Sequence, residues 1–245
     1  MRLVSWAATD AGSVRKANQD ACLARPETGL WAVADGAGGH QAGEIASATV
    51  IAALAQVAPG GDAAALAAEV HRRIDEAHTA LRAEAARRGR DALVASTVAA
   101  LVAAGGRYRC LWAGDSRIYL LRAGQLRQLT RDHSLVQDMI DAGVLMPEQA
   151  ERHPRANVIT RAIGIDGERV ALDETEGEIC PGDRFLLCSD GLTKTLDAAI
   201  IADLLADRGD PADGSGAVSP VDRLIAAALE RRASDNVTAV AVAAG

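Results

Sequence analysis

Apolar and polar positions recur along this chain with two periods, and the changes from one to the other divide it into elements. Residues 3–8 alternate weakly and predict a first strand. A polar loop over 9–20 separates it from a second short strand near 21–24. Leu30-Trp31-Ala32-Val33-Ala34 is continuously apolar, as in a strand buried on both faces, and it ends on Asp35. Gly36-Ala37-Gly38-Gly39-His40 follows, and a helix over 43–57 sets Val50, Ile51, Leu54 and Val57 on one face. Pro59-Gly60-Gly61 stops that helix. A longer one over 63–88 repeats Leu66, Val70, Ile74, His78 and Leu81 at helical spacing.

The middle of the chain changes character. Residues 92–104, 108–113, 116–122 and 126–129 are β-like runs parted by Gly105-Gly106, Gly114-Asp115 and Ala123-Gly124, which predicts antiparallel meander strands. Residues 134–142 read as a short helix, and 143–159, with Pro147 and Pro154, as a polar surface flap. Two more strands are expected at 170–174 and 184–188. The second delivers Ser189-Asp190-Gly191, the same strand-then-Asp-Gly order as at Asp35. Helices over 196–205 and 221–232 bracket a Gly/Pro/Asp/Ser loop at 207–220, read as mobile. Ser234-Asp235-Asn236 opens a last strand over 237–243. With no internal repeat and no dividing linker, residues 1–245 read as a single α+β domain, strands packed on each other and helices outside.

Composition narrows the choices. Hydrophobic residues make up 49% of the chain but aromatics only 2%, so the core is built from Ala, Val, Leu and Ile. Few aromatics and a net charge of −7 argue against nucleic acid as a partner. Arg72, Arg73, Arg82, Arg87 and Arg88 are interleaved with Glu69, Asp75, Glu76 and Glu84, which is the pattern of a solvated helix face. His71 and His78 read as ordinary residues of that helix. Cys22, Cys110, Cys180 and Cys188 form no C-x-x-C pair, and they fit reduced thiols rather than a disulfide framework or a zinc site. Residues 1–9 lack the apolar region and processing site of a secretory signal. The run 92–104, interrupted by Ser96 and Thr97, is too short to span a bilayer. The expectation is a cytoplasmic protein without membrane attachment.

Candidate chemistry starts at Asp35. A dinucleotide fingerprint requires a third glycine where Gln41 stands, and a carboxylate at Asp35 repels phosphate unless a cation lies between them. A hard-cation site, with the Asp35 carboxylate and the Gly36 carbonyl as ligands, competes with a plain Asp-Gly turn. Asp190 and Asp235 share the strand-end context and can converge with Asp35 on one rim of a sheet. Such a set, without Cys or His, favours Mg²⁺ or Mn²⁺ over zinc. Arg15, in the loop before the second strand, offers a planar fork for phosphate, or is simply an exposed loop arginine.

Six segments then occur in a telling order: Val14-Arg15-Lys16-Ala17-Asn18-Gln19-Asp20, Ala34-Asp35-Gly36-Ala37-Gly38-Gly39-His40, Ala113-Gly114-Asp115-Ser116-Arg117, Leu129-Thr130-Arg131-Asp132-His133-Ser134, Cys188-Ser189-Asp190-Gly191-Leu192 and Ser234-Asp235-Asn236-Val237. Together they resemble the motif series of the bacterial metal-dependent serine/threonine protein phosphatases of the protein phosphatase 2C-like family, over nearly the whole chain. Residues 153–160 are similar to the family's flap. The resemblance implies a central sandwich of two antiparallel sheets flanked by helices on both outer faces. It implies two Mn²⁺ or Mg²⁺ ions, Asp35 bridging both, the Gly36 carbonyl on one, and Asp190 and Asp235 completing the other. Asp115 matches a position that helps hold a third, weaker ion, Arg15 the phosphate-binding arginine, and Asp20 an acid that orients metal-bound water. A hydroxide bridging the ions would attack phosphorus in line. The partners implied are phosphoserine and phosphothreonine proteins and a cognate serine/threonine kinase, with the chain acting as a monomer.

Two positions depart from the pattern. Ala37 stands where eukaryotic members carry a histidine proposed as general acid, which leaves His40 as a candidate proton donor beside its structural reading as a helix-start residue. Gln19 replaces a frequent Glu. Other chemistries fit less well. A cysteine phosphatase loop fails because Cys110 and Arg117 are separated by one residue too many, and no G-x-S-x-G elbow is present. A catalytically weak adaptor that binds phosphoproteins is the alternative from another class, and the retained Asp35, Asp190 and Asp235 argue against it.

Overall fold

Strand-forming runs far apart in sequence pair into two antiparallel sheets in the computed structural model, which describes residues 2–39, 41–89, 91–150, 153–165, 167–206 and 218–245. One sheet is ordered β1 (Leu3–Asp10), β11 (Val237–Ala244), β10 (Arg184–Cys188), β7 (Arg117–Arg122), β8 (Gln125–Gln128). The other is ordered β2 (Asp20–Arg25), β3 (Leu30–Ala37), β5 (Val98–Ala104), β6 (Arg107–Ala113), β9 (Asp173–Glu178), with the short β4 (Ala95–Ser96) paired to the end of β3.

Period-two alternation assigns each side chain to a layer. Trp31, Val33, Leu101, Ile118, Leu120, Phe185, Leu187 and Val240 meet between the sheets. Their neighbours Leu30, Ala32, Ala100 and Leu111 face outward onto α1 (Ala42–Leu54) and α2 (Ala63–Arg88). On the far side, Leu186, Ala239 and Ala241 pack under α6 (Ala198–Ala206) and α7 (Pro220–Glu230). Both faces of both sheets are thus covered, and each large aliphatic side chain sealed inside stabilises the fold by roughly 1.5–3 kcal/mol. The α+β sandwich with helices on its outer faces matches the expectation.

Local chemistry sets the helix ends. The Asp62 carboxylate accepts from the Ala65 N–H at 2.8 Å to open α2, and Gly89, at φ 125°, closes it after Arg87 and Arg88. Ser134 caps α3 (Leu135–Asp141) by accepting from Gln137, and Ser219 caps α7 with Pro220 at its first position. His78 is buried in α2. Its Nδ1 accepts from the Gly164 N–H, and its Nε2 lies 3.1 Å from the Gly167 carbonyl, so it is a satisfied core histidine. Glu69, Glu76 and Glu84 do pair with the arginines of the exposed face.

Several expected boundaries move. The strand expected at 170–174 forms at Asp173–Glu178 instead, because Glu174 and Glu176 of β9 pair across the sheet edge with Arg109, and Glu176 also with Arg107. Val170 and Leu172 instead pack against the α1–α2 core. The run 92–104 is split at Thr97, whose N–H donates to the Asp35 carbonyl. Asp35-Gly36 is no turn, since β3 continues through both to Ala37, with Gly36 opposite Ser96. Gly36 packs so close to the start of α1 that a Cβ would lie 1.9 Å from the Gly43 carbonyl oxygen. The flap carries a short helix, α4 (Pro147–Ala150), and an unforeseen turn of helix, α5 (Asp190–Thr193), follows β10. Of the loop read as mobile, residues 207–217 lie outside the described residues. Among the described residues no helix is long and apolar enough to cross a membrane.

Candidate active site

Five carboxylates reach one rim of the sandwich because the strands that carry them all point an end there. Asp20 opens β2 and pairs directly with Asp35 in β3. Asp115 sits in the β6–β7 turn, Asp190 follows β10, and Asp235 precedes β11. Asp20 and Asp115 are buried. Asp20 Oδ2 accepts from the hydroxyls of Ser189 and Thr238, each at 2.7 Å. Its Oδ1 has no partner, and neither does Oδ1 of Asp115 or Asp190, although all three atoms are buried.

The electrostatics follow from that crowding. Burial raises Asp20 to about 6 against the pull of the Thr238 and Ser189 hydrogen bonds, with the charges of Asp190 and Asp235 adding to it. Burial likewise raises Asp115 to about 7, helped by Asp190 and opposed by Lys194. Asp35 is pushed well above the usual carboxylate range, first by burial and then by Asp20, Asp190, Asp115 and Asp235. Buried acceptor oxygens without donors, in a field of like charge, are costly alone and suit a hard divalent cation. The donor set, oxygen only, therefore fits the group the sequence implied.

Two side-chain cations stand at the same rim. Arg15 Nη2 donates to Asp235 Oδ2 at 2.9 Å, and Lys194 Nζ contacts Asp190 Oδ2. Asp190 and Asp235 are thus held toward these partners, and among the described residues no three acidic, His or Cys side chains close on a common point unaided. The carboxylates nonetheless share the rim closely enough that Asp20, Asp35 and Asp115 each feel the charge of acidic neighbours. A cavity of about 380 Å³ opens beside it, lined by Asp115, Asp190 and Lys194 together with Ser134, Val136 and Asn157. A larger one, about 690 Å³, lies at the opposite rim around Trp6, Leu121 and Cys180 and touches none of the candidate residues.

The remaining motif residues hold this rim in shape. Asn236 donates to the carbonyls of Ala11 and Ala17 and accepts from the Gln19 N–H, which clamps the loop bearing Arg15. Gly12 lets that loop close on the next motif, since a Cβ there would lie 2.0 Å from the Asp235 carbonyl oxygen at φ 76°. Thr97 Oγ1 accepts from the Asp35 N–H at 3.0 Å and shares a 2.7 Å hydrogen bond with Ser116. Arg117 grips both oxygens of Asp132, and His133 Nδ1 accepts from the Gly114 N–H at 3.1 Å, so Thr130-Arg131-Asp132-His133 positions the turn that carries Asp115.

The structure therefore gathers Arg15, Asp20, Asp35, Gly36, Asp115, Asp190 and Asp235, while His40 lies outside the described residues. Cys110 is fully buried in β6, and burial pushes its thiol up, away from any nucleophilic role. Sequence reasoning missed Lys194. Its signal was the four-residue spacing from Asp190, which becomes meaningful only once 190–193 is helical.

The family description Protein phosphatase 2C matches residues 12–230. The chain is 39% identical over 237 residues to serine/threonine protein phosphatase PstP of Mycobacterium tuberculosis, covering 96% of this chain but 43% of that protein, so it spans less than half of that relative's length. Among solved structures, PppA, described as a key regulatory component of T6SS in Pseudomonas aeruginosa, superposes with a TM-score of 0.89 at 40% identity over 100% of this chain and 99% of that one. The catalytic domain of PstP in complex with two manganese ions superposes with a TM-score of 0.84 at 36% identity, covering 98% and 97% of the two chains. Motif order, sandwich topology, the carboxylate rim and a match across most of the sequence lead to one conclusion: the chain belongs to the protein phosphatase 2C family.

Proposed function

We propose that this chain, as one catalytic unit over residues 1–245, is a metal-dependent phosphatase that hydrolyses phosphoserine and phosphothreonine in proteins. The observation that carries the reading is the set of buried, unpartnered oxygens on Asp20, Asp115 and Asp190, gathered with Asp35 and Asp235 beside the Arg15 guanidinium. Asp35, the Gly36 carbonyl, Asp190 and Asp235 would hold two ions, Mn²⁺ as in the PstP catalytic domain or Mg²⁺, and Asp115 a third, weaker one. When bound, such ions supply a nucleophile from water near neutral pH and positive charge for the phosphoryl oxygens.

The chain's own residues do the rest. Arg15, anchored at the rim by Asp235 and by its Asn236-clamped loop, presents its fork to the phosphoryl group. Asp20, fixed through one oxygen by Ser189 and Thr238, keeps the other free to orient water and accept its proton. The cavity under the flap gives the substrate peptide room next to the phosphate position. His40 as proton donor to the leaving group rests on its place in the sequence. The setting we infer is a cytoplasmic monomer opposing a serine/threonine kinase. The test is phosphate release from phosphoserine, phosphothreonine and phosphotyrosine peptides with Mn²⁺, with Mg²⁺ and with a chelator. Release from the first two only, with metal only, is expected, and chelator-resistant release would refute the reading.

A further inference from the structure

We propose that Lys194 is a positioning residue whose ammonium holds Asp190 and competes with divalent cations for that carboxylate, so that it sets how tightly the site takes metal. The inference rests on the metal-site reading above and adds a residue that none of the six motifs contributes. α5 is a single turn that starts at Asp190, and Lys194 directly follows it. Residues four apart on a helical turn face the same way, and Lys194 Nζ contacts Asp190 Oδ2. Asp190 is 15% exposed at the side chain and Lys194 41%, so the ammonium reaches inward from the wall of the cavity onto an almost enclosed carboxylate.

One ammonium does not satisfy this rim. Oδ1 of Asp190 and Oδ1 of the buried Asp115, which lines the same cavity, remain without partners. A divalent ion can serve several of these oxygens together, whereas the ammonium is committed to one. An ion that takes Asp190 must therefore displace Lys194 or share the carboxylate with it at the cost of charge repulsion. When Asp190 turns to metal, Lys194 has the open cavity between Asp115, Ser134 and Asn157 to move into.

The experiment is a calorimetric titration of the metal-stripped full chain with MnCl₂, for the parent, Lys194→Gln and Lys194→Arg. Removing the charge is expected to tighten Mn²⁺ binding by about tenfold, on the scale of one nearby unit charge at a half-exposed site. Lys194→Arg, which keeps the charge, should stay near the parent. A parallel measurement uses the parent alone: the rate at which an amine-acylating reagent modifies Lys194, read by mass spectrometry, should rise several-fold when Mn²⁺ is added. A lysine that only braces α5 would lower melting temperature on substitution and leave both readings where they were. Superimposable isotherms for parent and Lys194→Gln, or Lys194 acylation unmoved by saturating Mn²⁺, would overturn the inference while the metal-site reading stands. Absence of Mn²⁺ uptake by the parent would overturn both.

Discussion

Both rims of the sandwich bury aspartate side chains, and they treat them in opposite ways. At the rim away from the flap, Asp183 is 1% exposed, yet Arg122 donates to both of its oxygens and the Cys180 N–H adds a third hydrogen bond at 2.8 Å. At the other rim, Asp20 and Asp115 are comparably buried, and each keeps an oxygen without a donor among carboxylates that repel it. Burial is common to both, and satisfaction separates them. The first arrangement closes a turn between β9 and β10. The second stores unspent acceptor capacity, which is what a cation site requires.

Substitution should expose that difference most strongly in catalysis. Asp35→Ala and Asp190→Ala are each expected to lower phosphopeptide turnover by at least about a hundredfold with the fold intact, since each removes a proposed ion ligand. Asp183→Ala should leave turnover per folded molecule near the parent and cost stability instead. That cost is about 1–3 kcal/mol, moderated because Arg122 can turn to solvent. Steady-state kinetics beside thermal denaturation separate the two. Equal turnover for Asp183→Ala and Asp190→Ala would erase the distinction between the rims.

Next in size is a contrast of sign. Replacing Asp by Asn removes charge and keeps shape. At the satisfied rim Asp183→Asn breaks the Arg122 pairing and should destabilise the protein. At the other rim Asp115→Asn relieves repulsion and should stabilise the metal-stripped protein at pH 7.5 by on the order of 1 kcal/mol, while weakening Mn²⁺ binding and phosphopeptide turnover. Denaturant melts with and without Mn²⁺ read both effects. A loss of stability for both variants would mean that Asp115 serves the β6–β7 turn alone.

The smallest expected effect is a pH response at the bracing shell. Burial lowers the pKa of His133 below its ordinary 6.5, although Asp173 pulls the other way. The unfolded chain then binds a proton that the native state resists, so the stability from this residue is complete above about pH 6.5 and is lost as pH falls through its depressed value. Protonation at Nδ1 would also displace the Gly114 N–H that it accepts. His133→Gln should flatten that part of the stability profile, as measured by denaturant midpoints between pH 5 and 8.

How much of this could be read from the chain follows from what each feature depends on. α2 was legible because the apolar spacing that marks it, from Leu66 to Leu81, acts locally, and the Asp62 cap and closing Gly89 found in the structure fix its ends by equally local contacts. β9 was not, because its alternation is of charge against Arg107 and Arg109, residues some seventy positions away. Asp35, Asp190 and Asp235 stood out by their repeated strand-end setting. Asp20 and Asp115 did not, since a loop end and a hairpin turn explain them equally well, and only the family resemblance marked them. Even Asp35 was placed at the end of its strand, which in fact continues to Ala37 because Ser96 returns to pair with Gly36. Lys194 depends on a turn of helix too short to carry a period.

The most direct test of the central claim, that this rim binds divalent cations in order to release phosphate, is a paired measurement on one sample series. Mn²⁺ uptake by calorimetry and phosphate release from a phosphothreonine peptide should be followed together in the parent and in Asp35→Ala. The parent should take up Mn²⁺ and release phosphate along the same saturation curve, and Asp35→Ala should lose both. Phosphate release by Asp35→Ala at the parent's rate, or by the parent at full rate without bound metal, would contradict the account.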